Sequence, residues 1–200
     1  MDIVLNTAFA NSLLPMAPVP GFSDDFNRPT GASLGSTSGE GRVWQYGSHG
    51  EAPLWRTSSG GTAVFISGGS ISAAVVDAMA TNGVLQVTAA SLGSNRRGGP
   101  AFRYKDINNH LFIWQPDATS PLGMFRRVNG TAVRIADSTY TPSNGDVYRV
   151  ELSGSNIIFK VNGTVRMTAT ETAHMGETRH GLIGTTQALQ MGWDDISFTP

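Results

Sequence analysis

The chain has no cysteine. That removes thiol nucleophiles, cysteine-based zinc sites and a disulfide framework. Charge is also scarce. The 200 residues carry 14 basic and 15 acidic side chains, for a formal net charge of −1. A chain this close to neutral has no overall electrostatic attraction to nucleic acid or anionic lipid. No apolar run approaches the ~20 residues of a membrane-spanning helix, so membrane insertion is not expected. A basic start is missing too: no Lys or Arg precedes Arg28, Asp2 follows Met1, and Asn6 and Asn11 interrupt the apolar stretches. A secretory signal needs both a basic start and a continuous apolar centre. Met1 therefore reads as the start of a chain made in a cytoplasm, whatever its final location. Lysine is limited to Lys105 and Lys160, and there are five glutamates. Such a composition argues against a helical bundle.

What is abundant is glycine, 24 residues, well above the ~7% of an average protein. With many Ser and Thr, this suits short strands joined by tight turns. A chain of this length buries roughly 70% of its unfolded surface and needs no staple. Residues 1–21 stand apart. Pro15, Pro18 and Pro20 exclude regular helix or a central strand. Ile3, Val4, Leu5, Phe9, Leu13 and Leu14 are costly to leave in water, so the segment reads as an extended arm packing on a neighbouring subunit. A disordered leader is the alternative.

From Phe22 onward the pattern is strands and turns. Residues 34–62 are rich in Gly and Ser and hold two short strands. Ala63–Ile66 and Gly83–Ala89 read as strands, while Ile71–Met79 is either a buried strand or a helical turn. Three hairpins follow. The first pairs Phe102–Lys105 with His110–Trp114. The second pairs Met124–Val128 with Thr131–Ile135 through Asn129-Gly130. The third pairs Ile157–Val161 with Thr164–Met167 through Asn162-Gly163. Asn-Gly between strands marks a type I′ turn, because both central residues need positive φ. The two Asn-Gly-Thr triplets also match a glycosylation pattern, which tight turns explain better. Tyr148–Leu152 alternates as a strand with one wet face. Gly181–Gly184 and Met191–Phe198 close the chain. Strands without intervening helices imply an antiparallel sandwich or barrel.

In order along the chain come Asp24-Asp25-Phe26-Asn27-Arg28, Leu34-Gly35, Phe102-Arg103-Tyr104 with Asp106, Asn109 and Phe112, Val161-Asn162-Gly163, Gly181-Leu182-Ile183-Gly184 and Trp193-Asp194-Asp195-Ile196. This ordered set resembles the concanavalin-A-like lectin and glucanase (laminin-G-like) domains over residues 22–200. The resemblance implies an all-β, antiparallel two-sheet jelly-roll sandwich. It is poor in functional information, because that fold hosts lectins, hydrolases and structural modules. Similar domains recur in bacteriophage minor tail and virion surface proteins, and the Arg-over-Lys bias fits a GC-rich genome. It further implies pairing of the first and last strands, with Phe26 near Phe198 and Asp24 and Asp25 near Asp194 and Asp195. Four acids at one edge suit a structural calcium ion, which takes 6–8 oxygen ligands. The alternative is that each Asp caps a turn or strand end.

Catalysis is not expected. The glucanases of this architecture carry a Glu-x-Asp-x-Glu strand, and none occurs here. Glu40, Glu51, Glu151, Glu171 and Glu177 are scattered, and a glycosidase needs two carboxyls about 5–9.5 Å apart. Glu151 and Asp106 are candidates on neighbouring strands, but nothing singles them out. His174 and His180 are wrongly spaced for metal ligands on one helix face.

A binding face is better supported. If the first hairpin has a four-residue turn, facing residue numbers sum to 215. Phe102, Tyr104, Leu111 and Ile113 then face the core, and Arg103, Lys105, His110, Phe112 and Trp114 share the other face. Cations beside two aromatics suit a cell-surface glycan, since an aromatic face stacks on a pyranose and Arg or His bonds its hydroxyls. A one-residue change of register breaks this sorting. The competing reading covers Phe112 and Trp114 with loops or another subunit. Trp44, Trp55 and Trp193 read as core. Such contacts bind weakly alone and gain from multivalent display. The expected role is a homo-oligomeric virion component that meets host glycans, assembled in the host cytoplasm, with residues 1–21 contacting other virion subunits. A purely structural subunit and a glycan hydrolase are the alternatives.

Overall fold

A computed structural model describes residues 19–93, 96–117, 119–186 and 191–200. Of the expected arm, all but its last three residues lie outside them. The described residues form β1 (Phe22–Asp24), β2 (Gln45–Ser48), β3 (Leu54–Thr57), β4 (Ala63–Ser67), β5 (Ile71–Asp77), β6 (Gly83–Ser91), β7 (Gly98–Asp106), β8 (Asn109–Trp114), β9 (Leu122–Val128), β10 (Thr131–Ser138), β11 (Asp146–Ser153), β12 (Asn156–Val161), β13 (Thr164–Thr170), β14 (Arg179–Thr185) and β15 (Gly192–Thr199). They contain no α-helix. None of their helices is long and apolar enough to cross a membrane.

All pairings are antiparallel and make two sheets. Sheet I runs β13-β12-β11-β6-β15-β4-β3, with β1 also on β15; sheet II runs β10-β9-β8-β7-β14-β5-β2. The alternation that marks a half-buried strand appears on β11, where Asp146, Tyr148, Val150 and Leu152 are buried and the residues between them are partly exposed. Both Asn-Gly turns have positive φ at both positions: Asn129 (47°) and Gly130 (81°), Asn162 (51°) and Gly163 (78°). Ile71–Asp77 is a strand buried on both faces between β14 and β2, which settles the ambiguous segment.

The core lies between the sheets. Phe102, Leu111 and Ile113 of sheet II and Leu85, Val87, Val150 and Phe159 of sheet I belong to one cluster with Trp44, Trp55 and Trp193. Each large side chain removed from water contributes about 1.5–3 kcal/mol. The first and last strands do pair, but in a different register from the expected one. Phe22, not Phe26, faces Phe198, with the two rings stacked at 6.5 Å. Phe26 lies past the strand end at φ 52°, against Trp44 at 5.8 Å.

The first hairpin carries the largest departure. Asp106 faces Asn109, as expected for the turn, but farther along Phe102 faces Leu111 and Ala101 faces Phe112. The pair sum drops from 215 to 213 across a bulge that contains Arg103 at φ 49°. Residues 103–105 of β7 stand against His110 alone, two more than regular pairing takes, and the extra chain bends the strand. Arg103, at positive φ, breaks the strand's alternation, so Phe102 joins the core cluster while Tyr104 packs on the opposite face. Arg103 is buried, its guanidinium donating to the carbonyls of Gly154 and Glu171, the latter at 3.3 Å. The Glu171 carboxylate accepts from Arg126 (3.2 Å) and the Ala173 amide (2.8 Å). This ties the bulge of sheet II to the β11–β12 turn of sheet I.

Candidate functional site

Beyond the bulge, Tyr104 takes the outer face that Arg103 was expected to hold. It packs with Ala73, Val75 and Ile107. The hairpin tip curls across sheet II toward β2. His49 Nε2 and Asn108 Oδ1 are 2.7 Å apart, and a Cβ on Gly47 would lie 2.0 Å from the Tyr104 hydroxyl. Gly47 therefore gives Tyr104 room to lie flat. Arg179 reaches over the Tyr104 ring at 5.4 Å and donates to the Lys105 carbonyl.

The proposed five-residue face is accordingly divided. Arg103 is inside the sandwich, His110 and Phe112 are fully buried, Lys105 is exposed on the tip, and Trp114 is partly exposed. The physical cause is the bulge, which turns the tip over the half of the face that holds His110. His110 lies between the Tyr104 ring (5.4 Å) and the Phe112 ring (5.3 Å). Its Nδ1–H donates to the Asp106 carbonyl at 3.0 Å, and its Nε2 is buried without a hydrogen-bond partner. Burial pushes its pKa down to about 4, with nearby Arg127 and His174 acting in the same direction. His110 is therefore neutral at pH 7, with Nε2 free to accept.

The half that stays open is built from residues the hairpin reading overlooked. Ile71, Trp114 and Phe125 pack, partly exposed, on buried Ala101, Phe112 and Ile183. Phe112 and Phe125 stack at 5.2 Å, and Trp114 meets Phe112 edge-on at 4.7 Å. The register sets three rows across β8, β9 and β10: Trp114–Gly123–Asp137, Phe112–Phe125–Arg134 and His110–Arg127–Ala132. Arg134 lies over the Phe125 ring at 5.3 Å and approaches Asp137 at 3.8 Å. The signal was available in the sequence. A two-residue Asn129-Gly130 turn by itself puts Arg134 opposite Phe125 and Ala132 opposite Arg127.

The acidic edge on sheet I is organised differently. Asp24 is buried and accepts from Arg28 Nη1 (2.7 Å) and Nη2 (2.8 Å), Trp44 Nε1 (2.7 Å) and the Phe26 amide (3.0 Å). Asp25 accepts from the Asn27 amide at 3.1 Å, and Asp194 from the Asp195 amide at 2.9 Å. Asp25 and Asp195 border an open depression of about 510 Å³ with Ser23, Ser38, Gln86 and Ser197. Burial raises the Asp194 pKa, aided by the negative charges of Asp195, Asp25 and Asp24. A calcium ion needs free carboxylate oxygens. Both oxygens of Asp24 are taken by N–H donors, and no group of three or more His, Asp or Glu among the described residues could hold a metal ion. The donor set does not fit the expected ion.

The other candidates are separated. Glu151 sits in sheet I, its Oε1 accepting from Arg149 and Lys160 at 2.8 Å each, whereas Asp106 ends β7 in sheet II. They are not on neighbouring strands. His180 is buried against Phe198 (4.1 Å) and bonded to the Ala80 carbonyl, while His174 bonds the Arg127 carbonyl.

No family model matches the chain, and no curated protein matches it. Among solved structures it is similar to a β-glucanase of Bacillus licheniformis, with TM-score 0.56 and 11% identity over 90% of this chain and 98% of that one. It is also similar to the carbohydrate binding module CBM66 from Bacillus subtilis, with TM-score 0.54 and 16% identity over 78% and 90%. A third is domain 4 of AbnA, an extracellular GH43 arabinanase from Geobacillus stearothermophilus, in complex with arabinotriose. There the TM-score is 0.53 and the identity 11%, over 90% and 91%. The fold is the concanavalin-A-like jelly-roll sandwich, all-β and antiparallel.

Proposed function

We propose that this sandwich is a non-catalytic carbohydrate-binding domain that holds a glycan on the open half of sheet II. The observation that carries the reading is the partly exposed pair of Trp114 and Phe125 on neighbouring paired strands, with Arg134 and Asp137 beside it. Aromatic rings supply an apolar face for a sugar ring, and a guanidinium and a carboxylate supply a donor and an acceptor for its hydroxyls. The carbohydrate-binding module among the similar structures supports the same class of ligand.

Two rings, each worth about 0.5–1.5 kcal/mol as an aromatic contact, give weak single-site binding. Display in many copies raises avidity by ~10²–10⁴ without new contacts. The chain is accordingly a multivalent surface component, of the bacteriophage minor-tail or virion-accessory kind its motif order resembles. Its glycan partner lies on the host cell surface, and residues 1–21 join it to neighbouring subunits in a homo-oligomer. A glycan array probed with the protein and with Trp114→Ala tests the binding claim. Wild type should be retained on a defined subset of sugars, and the variant should lose at least about 10-fold, or about 1.4 kcal/mol. Wild-type binding no better than the variant's makes the sandwich a packing module instead.

A further inference from the structure

The open half carries more positive charge than a neutral sugar requires. Arg134 faces Phe125 across the β9–β10 ladder, and Arg127 lies two positions along β9 on the same surface. The two arginines are diagonal neighbours, roughly 7–8 Å apart at the backbone. Like charges at that spacing repel. Asp137 is the sole carboxylate at ion-pair distance from Arg134 among the described residues, at 3.8 Å and 61% exposed. It stands opposite Gly123, on the far side of Phe125 from Arg127. Among the described residues no carboxylate is at ion-pair distance from Arg127.

Arg127 is also partly withdrawn from water. Its Nε is buried without a hydrogen-bond partner, and burial pushes its guanidinium pKa down. Its neighbour on β8 is His110, whose Nε2 is buried and unpartnered as well. On β10 its neighbour is the exposed Ala132, which places no side chain beyond Cβ above it. From the loop after β13, His174 donates to the Arg127 carbonyl and adds no negative charge. A cation so placed is stabilised by an incoming anion.

We infer that the glycan held over Trp114 and Phe125 is acidic, with an oxyanion on the sugar (carboxylate, sulfate or phosphate) seated between the guanidiniums of Arg127 and Arg134. The inference rests on the carbohydrate-binding reading above. A sugar ring stacked on the aromatic pair turns one edge toward Asp137, which accepts from hydroxyls. The opposite edge meets Arg127. Planar guanidinium groups bind two oxygens at once, a geometry an ammonium group does not offer.

The full chain is tested on an array of neutral glycans and of the same backbones carrying carboxylate, sulfate or phosphate. Oligogalacturonate and its methyl ester form a calorimetric pair with the same sugar backbone, charged in one member and neutral in the other. Binding should be confined to acidic members and weaken as salt is raised. Arg127→Gln and Arg134→Gln should each weaken it at least 10-fold, with unchanged melting temperature. Should Arg127→Gln fail to fold, Arg127→Lys keeps the charge without the fork, so affinity should fall while the salt dependence persists. Equal or better binding of neutral backbones overturns the acidic ligand and leaves the glycan reading intact. Acidic binding unaffected by the arginine variants overturns it equally. Retention of no glycan of either kind brings down the glycan reading itself.

Discussion

The two halves of the outer face of sheet II share strands, register and an aromatic layer, yet they end in opposite states. Near the β7–β8 tip, Tyr104 lies over Ala73 and Val75, and His110 is fully buried. One and two rows away, Phe125 and Trp114 keep part of their surface, beside Arg134 and Asp137. The difference comes from two residues of extra chain around Arg103, which bend the tip over one half and leave the other uncovered. An aromatic face is thus either an internal layer or a ligand platform according to what its neighbouring turns do. In the closed half, substitutions should change stability; in the open half, they should change binding.

The largest effect is expected at the bulge. Arg103→Ala leaves the Gly154 and Glu171 carbonyls without their donor and opens a cavity between the sheets. Taking a charged donor away from two carbonyls costs about 3 kcal/mol or more, measurable by chemical denaturation. A cost below about 1 kcal/mol would show that the bulge does not hold the tip down.

The next effect is one of pH. His110 titrates near 6.5 when unfolded and is held down to about 4 when folded. Above pH 6.5 both states are neutral and the contribution is complete. Between 6.5 and 4 the unfolded chain alone takes the proton, so stability falls as pH falls, by up to roughly 3 kcal/mol at the lower end. His180 is displaced in the same direction and also to about 4. His110→Phe should therefore remove about half of the histidine-linked loss between pH 6.5 and 4. An unchanged slope would mean that His110 is already open to protons.

Smaller still is Gly47→Ala. Its Cβ would meet the Tyr104 hydroxyl at 2.0 Å and displace the tip. Overpacking of this kind costs about 1–3 kcal/mol, and hydrogen exchange at residues 105–109 should accelerate. The least effect on stability is expected for Trp114→Ala, about 1 kcal/mol for a ring only partly buried on the outer face. The same change should abolish most glycan binding. A Trp114→Ala protein as unstable as Arg103→Ala would erase the contrast between the halves.

Much of the fold was legible because it rests on local rules. The Asn-Gly turns, the alternation of Tyr148–Leu152 and the spacing of strands without helices each follow from backbone sterics or a single wet face. The first hairpin misled because a bulge depends on tertiary fit. Nothing in Phe102-Arg103-Tyr104 announces that Arg103 turns inward to Gly154. At the acidic edge, pairing of the end strands was anticipated, but the register was four residues off. Asp24 meets Arg28 and Trp44 through contacts that sequence spacing alone does not specify. Phe125, Arg127 and Arg134 could have been read from the second hairpin, whose turn fixes its register. Their importance emerges once β8 is known to pair with β9.

The most direct test is an amide NMR titration of the full chain with the glycan best retained on the array. Shifts confined to Trp114, Gly123, Phe125, Arg127, Arg134 and Asp137, with the 105–109 tip unmoved, are the predicted result. Shifts centred on the depression beside Asp25 and Asp195, or on the outer face of sheet I, would contradict the account.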